Sequence, residues 1–322
     1  MNTNVNKLVL IGAGNVGLSF VYACMNQAVA NEIVIIDINT KRAEGEAMDL
    51  NHGVCFAPAN MSIYSGGYED AKDADIAVIA AGVSQKPGQD RLSLLIDNAR
   101  IFKQIIDNLK DAGFSGIILV ASNPVDIMSY ITFKLSGFDS RRVIGSGTTL
   151  DTARLRFMLG DYFKVDPHNV HAYVMGEHGD SEFVPWSQAV VGTKPVFNII
   201  NENPIDYSYC PLQNIAYEVK NSAYKIIEAK GATYYGIGMA LTRIIKAIYG
   251  GENSILTVSA FLSGEYGIDD IYLGVPAVIN REGVREIVSL SLDDFELEQL
   301  WNSAQVLKKA TEPIIKQLTI EN

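Results

Sequence analysis

Continuous aliphatic runs, not alternating ones, mark the first 145 positions of the chain. Lys7 to Ala13 (KLVLIGA), Glu32 to Ile38 (EIVIIDI), Asp75 to Gly82 (DIAVIAAG) and Gly116 to Ser122 (GIILVAS) are short and dominated by aliphatic residues. A strand that is apolar on both faces must be covered on both, which is the condition of a parallel sheet with helices on either side. Helical patterns fill the gaps at Leu18 to Ala28, Lys41 to Asn51 and Arg91 to Asp111. This alternation predicts a doubly wound α/β domain. Beyond Ser122, Asn123-Pro124 stops the strand and Val125 to Gly137 reads as a helix. From about Val143 the pattern becomes α+β. It predicts a helix over Thr149 to Phe163, short strands around His171 to Gly176 and Pro195 to Ile200, and a helical tract from Leu212 to Tyr249. Further strands and a terminal helix from about Asp293 follow. The Gly-Ser-Gly turn beginning at Gly145 places the boundary between two domains, 1–145 and 146–322.

Composition narrows the function classes. A chain of 322 residues, 48% hydrophobic, can bury a large core in each of two domains. Its formal charge of −11 repels polyanions, which argues against nucleic acid or an anionic membrane as partner. Any anionic substrate therefore needs a local cluster of arginines. Cys24, Cys55 and Cys210 are odd in number and widely spaced, so they make neither a disulfide framework nor a Cys-x-x-Cys metal pair. With no apolar run of bilayer length and no basic, cleavable start, the expectation is a cytoplasmic protein with reduced thiols and no bound metal.

The first strand ends in Gly12-Ala-Gly14-Asn-Val16-Gly17 and is followed at once by a helix. Alone, such a glycine run is only a tight strand-to-helix turn. Here Asp37 closes the next strand twenty residues after Gly17, which is the context of the dinucleotide-binding, Rossmann-type fingerprint. Gly12 makes the turn, Gly14 lets the backbone approach a pyrophosphate, and Gly17 lets helix and sheet pack closely. The helix N-terminus offers amides and a positive dipole to the phosphates. Asp37 can accept bonds from both ribose hydroxyls and would repel a 2′-phosphate, so NAD is expected over NADP.

Candidate chemistry gathers in three places. Val174 to Ser181 (VMGEHGDS) carries His178 in a glycine-rich turn beside Glu177 and Asp180, where an imidazole can face a cleft; the plainer reading is a turn histidine with satisfied bonds. Residues 81 to 95 (AGVSQKPGQDRLSLL) read as a mobile loop between strand and helix, with Gln85 on one shoulder and Arg91 on the other. Arg91 reads equally as a solvated residue of a first helical turn. Asp151 and Arg154, three apart on a helix, share a face, for which an intrahelical ion pair is the plain account. Arg156 lies about 140° around that helix from Asp151 and must serve another surface.

Taken in order, GAGNVG, Asp37, QKPGQDR, VASNPVD, GSGTTLDTARLR, GEHGD and KGATYYGIGMAL closely resemble the L-lactate dehydrogenase branch of the lactate/malate dehydrogenase family over essentially the whole chain. The resemblance implies that His178 donates and accepts the proton, with Asp151 orienting it. It implies that Arg154 grips the substrate carboxylate and Arg91 polarises the substrate carbonyl. Asn123 would lie beside the reacting oxygen and the nicotinamide, Thr233 and Ile237 would line substrate and nicotinamide, and Val16 would join the glycines at the cofactor.

Malate dehydrogenases of this family carry arginine at the position of Gln85, so a neutral Gln85 implies pyruvate rather than oxaloacetate. A longer 2-oxo acid, as in L-2-hydroxyisocaproate dehydrogenases, remains open. Arg156 and His171 match the residues with which bacterial members bind fructose 1,6-bisphosphate across a subunit interface. The further implications are a homotetramer, allosteric control and a place in glycolytic fermentation. An NAD-dependent glycosidase shares the fold type but would need a Cys/His metal site, and Cys210 is the only cysteine in the second half.

Overall fold

The computed structural model describes residues 6–83 and 91–320. In the first half, β1 (Lys7–Ile11), α1 (Asn15–Gln27), β2 (Glu32–Ile36), α2 (Thr40–Gly53), β3 (Ser62–Ser65), β4 (Ile76–Ile79), α3 (Arg91–Asp111), β5 (Ile117–Val120), α4 (Val125–Ser136) and β6 (Val143–Gly145) alternate. The second half comprises α5 (Thr149–Phe163), β7 (Val170–His171), β8 (Val190–Val191), β9 (Lys194–Pro195), α6 (Val196–Glu202), α7 (Cys210–Lys230), α8 (Tyr235–Gly250), β10 (Ser254–Ser263), β11 (Asp269–Asn280), β12 (Gly283–Ile287) and α9 (Asp294–Ile320).

Six parallel strands run in the order β3-β2-β1-β4-β5-β6, and the antiparallel strands β10, β11 and β12 extend the same sheet beyond β6. The strands β1, β4 and β5 are buried along their whole length, as their unbroken aliphatic runs require. Strand order reverses between β1 and β4, so their carboxyl ends flank the switch point at which such sheets bind ligands. A separate three-stranded antiparallel sheet, β7-β8-β9, belongs to a second apolar cluster. Leu155, Leu159, Phe163, Val170, Leu212 and Val219 are among its members. The larger cluster joins the parallel strands to Leu241, Ile244, Val258 and Leu273 from the second half.

Three expectations change. Pro195 to Ile200 is not a strand: β9 stops at Pro195, whose fixed φ starts the short helix α6. The tract from Leu212 to Tyr249 is two helices, because Gly231 takes φ +82 and caps α7 by donating to the Ile227 carbonyl at 2.7 Å. Of His171 to Gly176 only His171 lies in a strand, the two-residue β7, and single bridges follow from Met175 to Phe183 and from Gly176 to Gly274.

At the first turn, Gly12 takes φ +106, and a Cβ there would lie 2.8 Å from the Ala80 carbonyl carbon. A Cβ on Gly17 would lie 2.3 Å from the carbonyl oxygen of Gly12. Since that oxygen is backbone, Gly17→Ala must push α1 off the sheet, and we expect a loss of about 1–3 kcal/mol of stability by urea denaturation. An unchanged midpoint and slope would show that helix and turn separate without cost.

Candidate active site

The glycine turn presents its backbone at the switch point. Gly14 is extended at the start of α1, and a Cβ built on it meets nothing within 4 Å. The first bond of the helix is Leu18 N–H to the Gly14 carbonyl, which leaves the amides of Asn15, Val16 and Gly17 without helical partners. Open space in front of free amides suits a pyrophosphate. Asp37 accepts from Ala13 N at 2.7 Å on one oxygen and from Asn39 N at 2.8 Å on the other, so both are fixed with lone pairs to spare. A cavity of about 520 Å³ opens beside it, with Gly12, Asp37, Ile38, Val83 and Ile101 in its walls. These residues fit an NAD adenosine and pyrophosphate. Val16 and Ile237 are partly buried against the same core.

On α5, buried Asp151 holds two cations. One carboxylate oxygen accepts from His178 Nδ1 at 2.6 Å and the other from Arg154 at 2.7 Å. The predicted intrahelical pair of Asp151 and Arg154 thus exists, and the same carboxylate also orients the imidazole. The His178 backbone is held separately: its N–H donates at 2.8 Å to Asp126, a buried carboxylate in the first turn of α4, and Ser259 of β10 donates to the other Asp126 oxygen at 2.5 Å. Because α4 starts just past β5, this bond fixes the His178 turn to the carboxyl edge of the sheet.

The electrostatics favour an imidazolium. Burial alone would lower the His178 pKa, but the charge and hydrogen bond of Asp151, with smaller contributions from Asp126 and Glu182, raise it to about 9. Burial would raise Asp151, yet His178 and Arg154 hold it below the usual carboxylate range. Both shifts stabilise the same charged pair. With Nδ1 committed to Asp151, the other ring nitrogen carries the transferable proton; the side chain stays 24% exposed.

Two carboxylates that the sequence did not single out, Asp126 and Glu182, belong to this centre. Burial pushes Asp126 up to about 6. Glu182, four residues past His178 in the same turn, places a donor atom within 4.8 Å of those of His178 and Asp151. The trio is built for sharing protons rather than for a cation, since Nδ1 already bonds to Asp151 and Arg154 occupies the other Asp151 oxygen. Glu177 faces away from the cleft: it is buried, accepts from Ser181 at 2.5 Å, and its N–H donates to Ser303 of α9 at 2.6 Å. A carboxylate spaced one turn from a candidate histidine was the signal available for Glu182.

Of the other candidates, Asn123 is exposed at the end of β5, before a cis Asn123-Pro124 bond, and Thr233 is half-buried just before α8. Arg156 points elsewhere, as its helical angle predicts: its Nε donates to the Ala172 carbonyl at 3.1 Å and its guanidinium lies 5.3 Å from the Tyr173 ring centre. Ala172 is buried and follows His171, which is exposed. Gln85 and the side chain of Arg91 lie outside the described residues.

A phosphate-cradling turn at the switch point, beside a charged His–Asp pair on the same edge, marks an NAD-dependent oxidoreductase. Residues 6–145 match the NAD binding domain of lactate/malate dehydrogenases and residues 148–318 their alpha/beta C-terminal domain, so the chain belongs to the lactate/malate dehydrogenase family. It is 54% identical over 315 residues to L-lactate dehydrogenase 2 of Bacillus cereus, covering 98% of this chain and 100% of that one. Two crystal structures are similarly close. One is a lactate dehydrogenase from a Medee basin deep-sea metagenome library, with TM-score 0.95, 51% identity, and 96% of this chain and 99% of that chain covered. The other is the minor L-lactate dehydrogenase of Enterococcus mundtii in its ligand-bound form, with TM-score 0.94, 48% identity, and 97% and 99% covered.

A raised imidazole pKa means that the His178–Asp151 attraction is fully present below about 6.5, the unfolded value, and fades as pH rises through about 9. Asp151→Asn removes the main raising cause and leaves the burial. The His178 ring, followed by NMR, should then titrate at least about two pH units lower. A titration still near 9 would assign the shift to other groups.

Proposed function

We propose that the chain is an L-lactate dehydrogenase that reversibly reduces pyruvate to L-lactate. The observation that carries this reading is the buried Asp151 carboxylate, which holds a protonated His178 and a planar Arg154 side by side at the sheet edge that bears the glycine turn. NADH, when bound, supplies the hydride to the carbonyl carbon. His178 gives its second ring proton to the carbonyl oxygen as negative charge grows there, and takes it back in the reverse direction. Arg154 keeps most of its guanidinium donors free of Asp151, which suits a two-point grip on the substrate carboxylate. Arg91 is assigned the carbonyl-polarising role, Asn123 a place beside the reacting oxygen and nicotinamide, and Thr233 and Ile237 the walls. Domains 1–145 and 146–322 would then be the cofactor and substrate halves.

Gln85 is assigned to substrate choice. Neutral at that point, it leaves the second carboxylate of oxaloacetate without a counter-charge. NADH absorbance should decay on adding pyruvate, far faster than with oxaloacetate, and EDTA should not change it. Gln85→Arg should reverse the preference, with a loss of at least tenfold on pyruvate. Equal turnover of both substrates by the wild type would overturn the assignment, and no decay with pyruvate would overturn the reaction.

Arg156, bonded to the carbonyl next after His171, and exposed His171 are assigned a second role. In a homotetramer, two symmetry-related copies across a two-fold axis would make a cationic pocket for a ligand with two phosphates, such as fructose 1,6-bisphosphate. Arg156 lies on α5 with Asp151 and Arg154, so occupancy there can be felt by the substrate-binding arginine. The sugar bisphosphate should lower the half-saturating pyruvate concentration, and His171→Asp should abolish the response without impairing turnover at saturating pyruvate. Superimposable saturation curves with and without it would rule the effector out. A cytoplasmic place in glycolytic fermentation fits the free cysteines and the reaction.

A further inference from the structure

Glu182 has no part in the chemistry set out above, yet its carboxyl group stands at the centre of it. Its donor atom lies within 4.8 Å of a donor atom of His178 and of one of Asp151. The backbone N–H of Glu182 donates to Gly179, which holds the residue in the tight turn that also carries His178. The charged groups it faces are Asp151 and Arg154 on α5, His178 in its own turn, and Lys220 on α7. No side-chain hydrogen bond or ion pair fixes its carboxyl group among the described residues.

We propose that Glu182 is a positioning residue that must carry a proton before the carboxylate of a 2-oxo acid can settle on Arg154, so that substrate binding takes up a second proton beyond the one on His178. This rests on the reading of the reaction above. An ionised Glu182 would set a second carboxylate beside Asp151, compete for Arg154, and oppose an incoming anion in a site shielded from water. Protonated, it is neutral, leaves Arg154 to the substrate, and can donate a hydrogen bond to a nearby oxygen. Burial and the charge of Asp151 do raise its pKa, to about 8, against the opposing pull of His178, Arg154 and Lys220. Proton and substrate therefore bind together near and above that pH, where free Glu182 is ionised. Below it the residue is already neutral and has no effect on affinity.

The test counts protons. Oxamate, the amide analogue of pyruvate, is titrated into the enzyme–NADH complex at pH 9 by calorimetry in buffers of different ionisation enthalpy. His178 alone can take up at most one proton. Wild-type uptake between one and two supports the proposal, and uptake of one or less overturns it. Glu182→Gln should bring the uptake below one. In steady-state kinetics, the wild-type pyruvate KM should rise with pH above 9 with a limiting slope near two decades per unit, whereas Glu182→Gln should show a slope near one. Glu182→Asp, which keeps a titrating carboxyl group, should retain the steeper slope. A residue that merely supports the fold would change kcat or stability and leave both proton counts alone. If Glu182→Gln does not fold, the wild-type count and the Asp variant still decide. Failure of the wild type to bind oxamate or reduce pyruvate overturns the reaction itself, and binding with a single proton overturns only the role of Glu182.

Discussion

One buried carboxylate organises the reactive half of this molecule. Asp151 is 2% exposed and would be costly to ionise alone, but it faces an imidazolium at 2.6 Å and a guanidinium at 2.7 Å. Each partner is thereby fixed as a cation and as a direction: His178 by the nitrogen it has committed, Arg154 by the edge it has spent. Imidazolium and guanidinium are held together because they share one counter-ion. Without that counter-ion burial would drive the imidazole toward its neutral form, so the arrangement is self-consistent only as a triad.

The triad holds its place because the chain around it leaves little freedom. Thr149 of α5 donates to the Thr257 carbonyl of β10, and Thr152 bonds to both Thr257 and the amide of Val174, just ahead of the His178 turn. On the far side, buried Ser303 of α9 accepts from Glu177 N, bonds to Ser181 Oγ and lies against Gly176. A helix remote in sequence thus supports the turn that carries His178.

The sequence made the cofactor half legible because its rules are local. Unbroken aliphatic strands, a glycine turn and an acidic residue at a fixed distance each follow from backbone geometry over about thirty residues. The helices over Arg91 to Asp111 and Thr149 to Phe163 have their expected bounds for the same reason. The second half was harder to read. A proline begins a helix where β-branched residues suggested a strand, and one left-handed glycine divides a long apolar periodicity that would otherwise look continuous. At the site, His178, Asp151 and Arg154 announce themselves by residue type and spacing. Asp126 and Glu182 do not, because a carboxylate's meaning lies in what surrounds it, and those surroundings come from α4, α5, α7 and β10 together.

The extension of the parallel sheet by β10 through β12 carries a mechanical consequence. The two halves are joined edge to edge where β6 meets β10, at the pairing of Gly145 with Ser259. Gly145 has no room for a side chain there, since a Cβ would lie 2.7 Å from that of Ser259 and closer still to Ser129. Ser259 is also the residue that bonds to Asp126, which in turn holds His178. A hinge at this seam would tear hydrogen bonds and release the His178 turn in one movement. The spacing between the sheet edge and the His178 turn is therefore a gauge cut once, during folding, because the bonds that close the seam are the bonds that seat the turn.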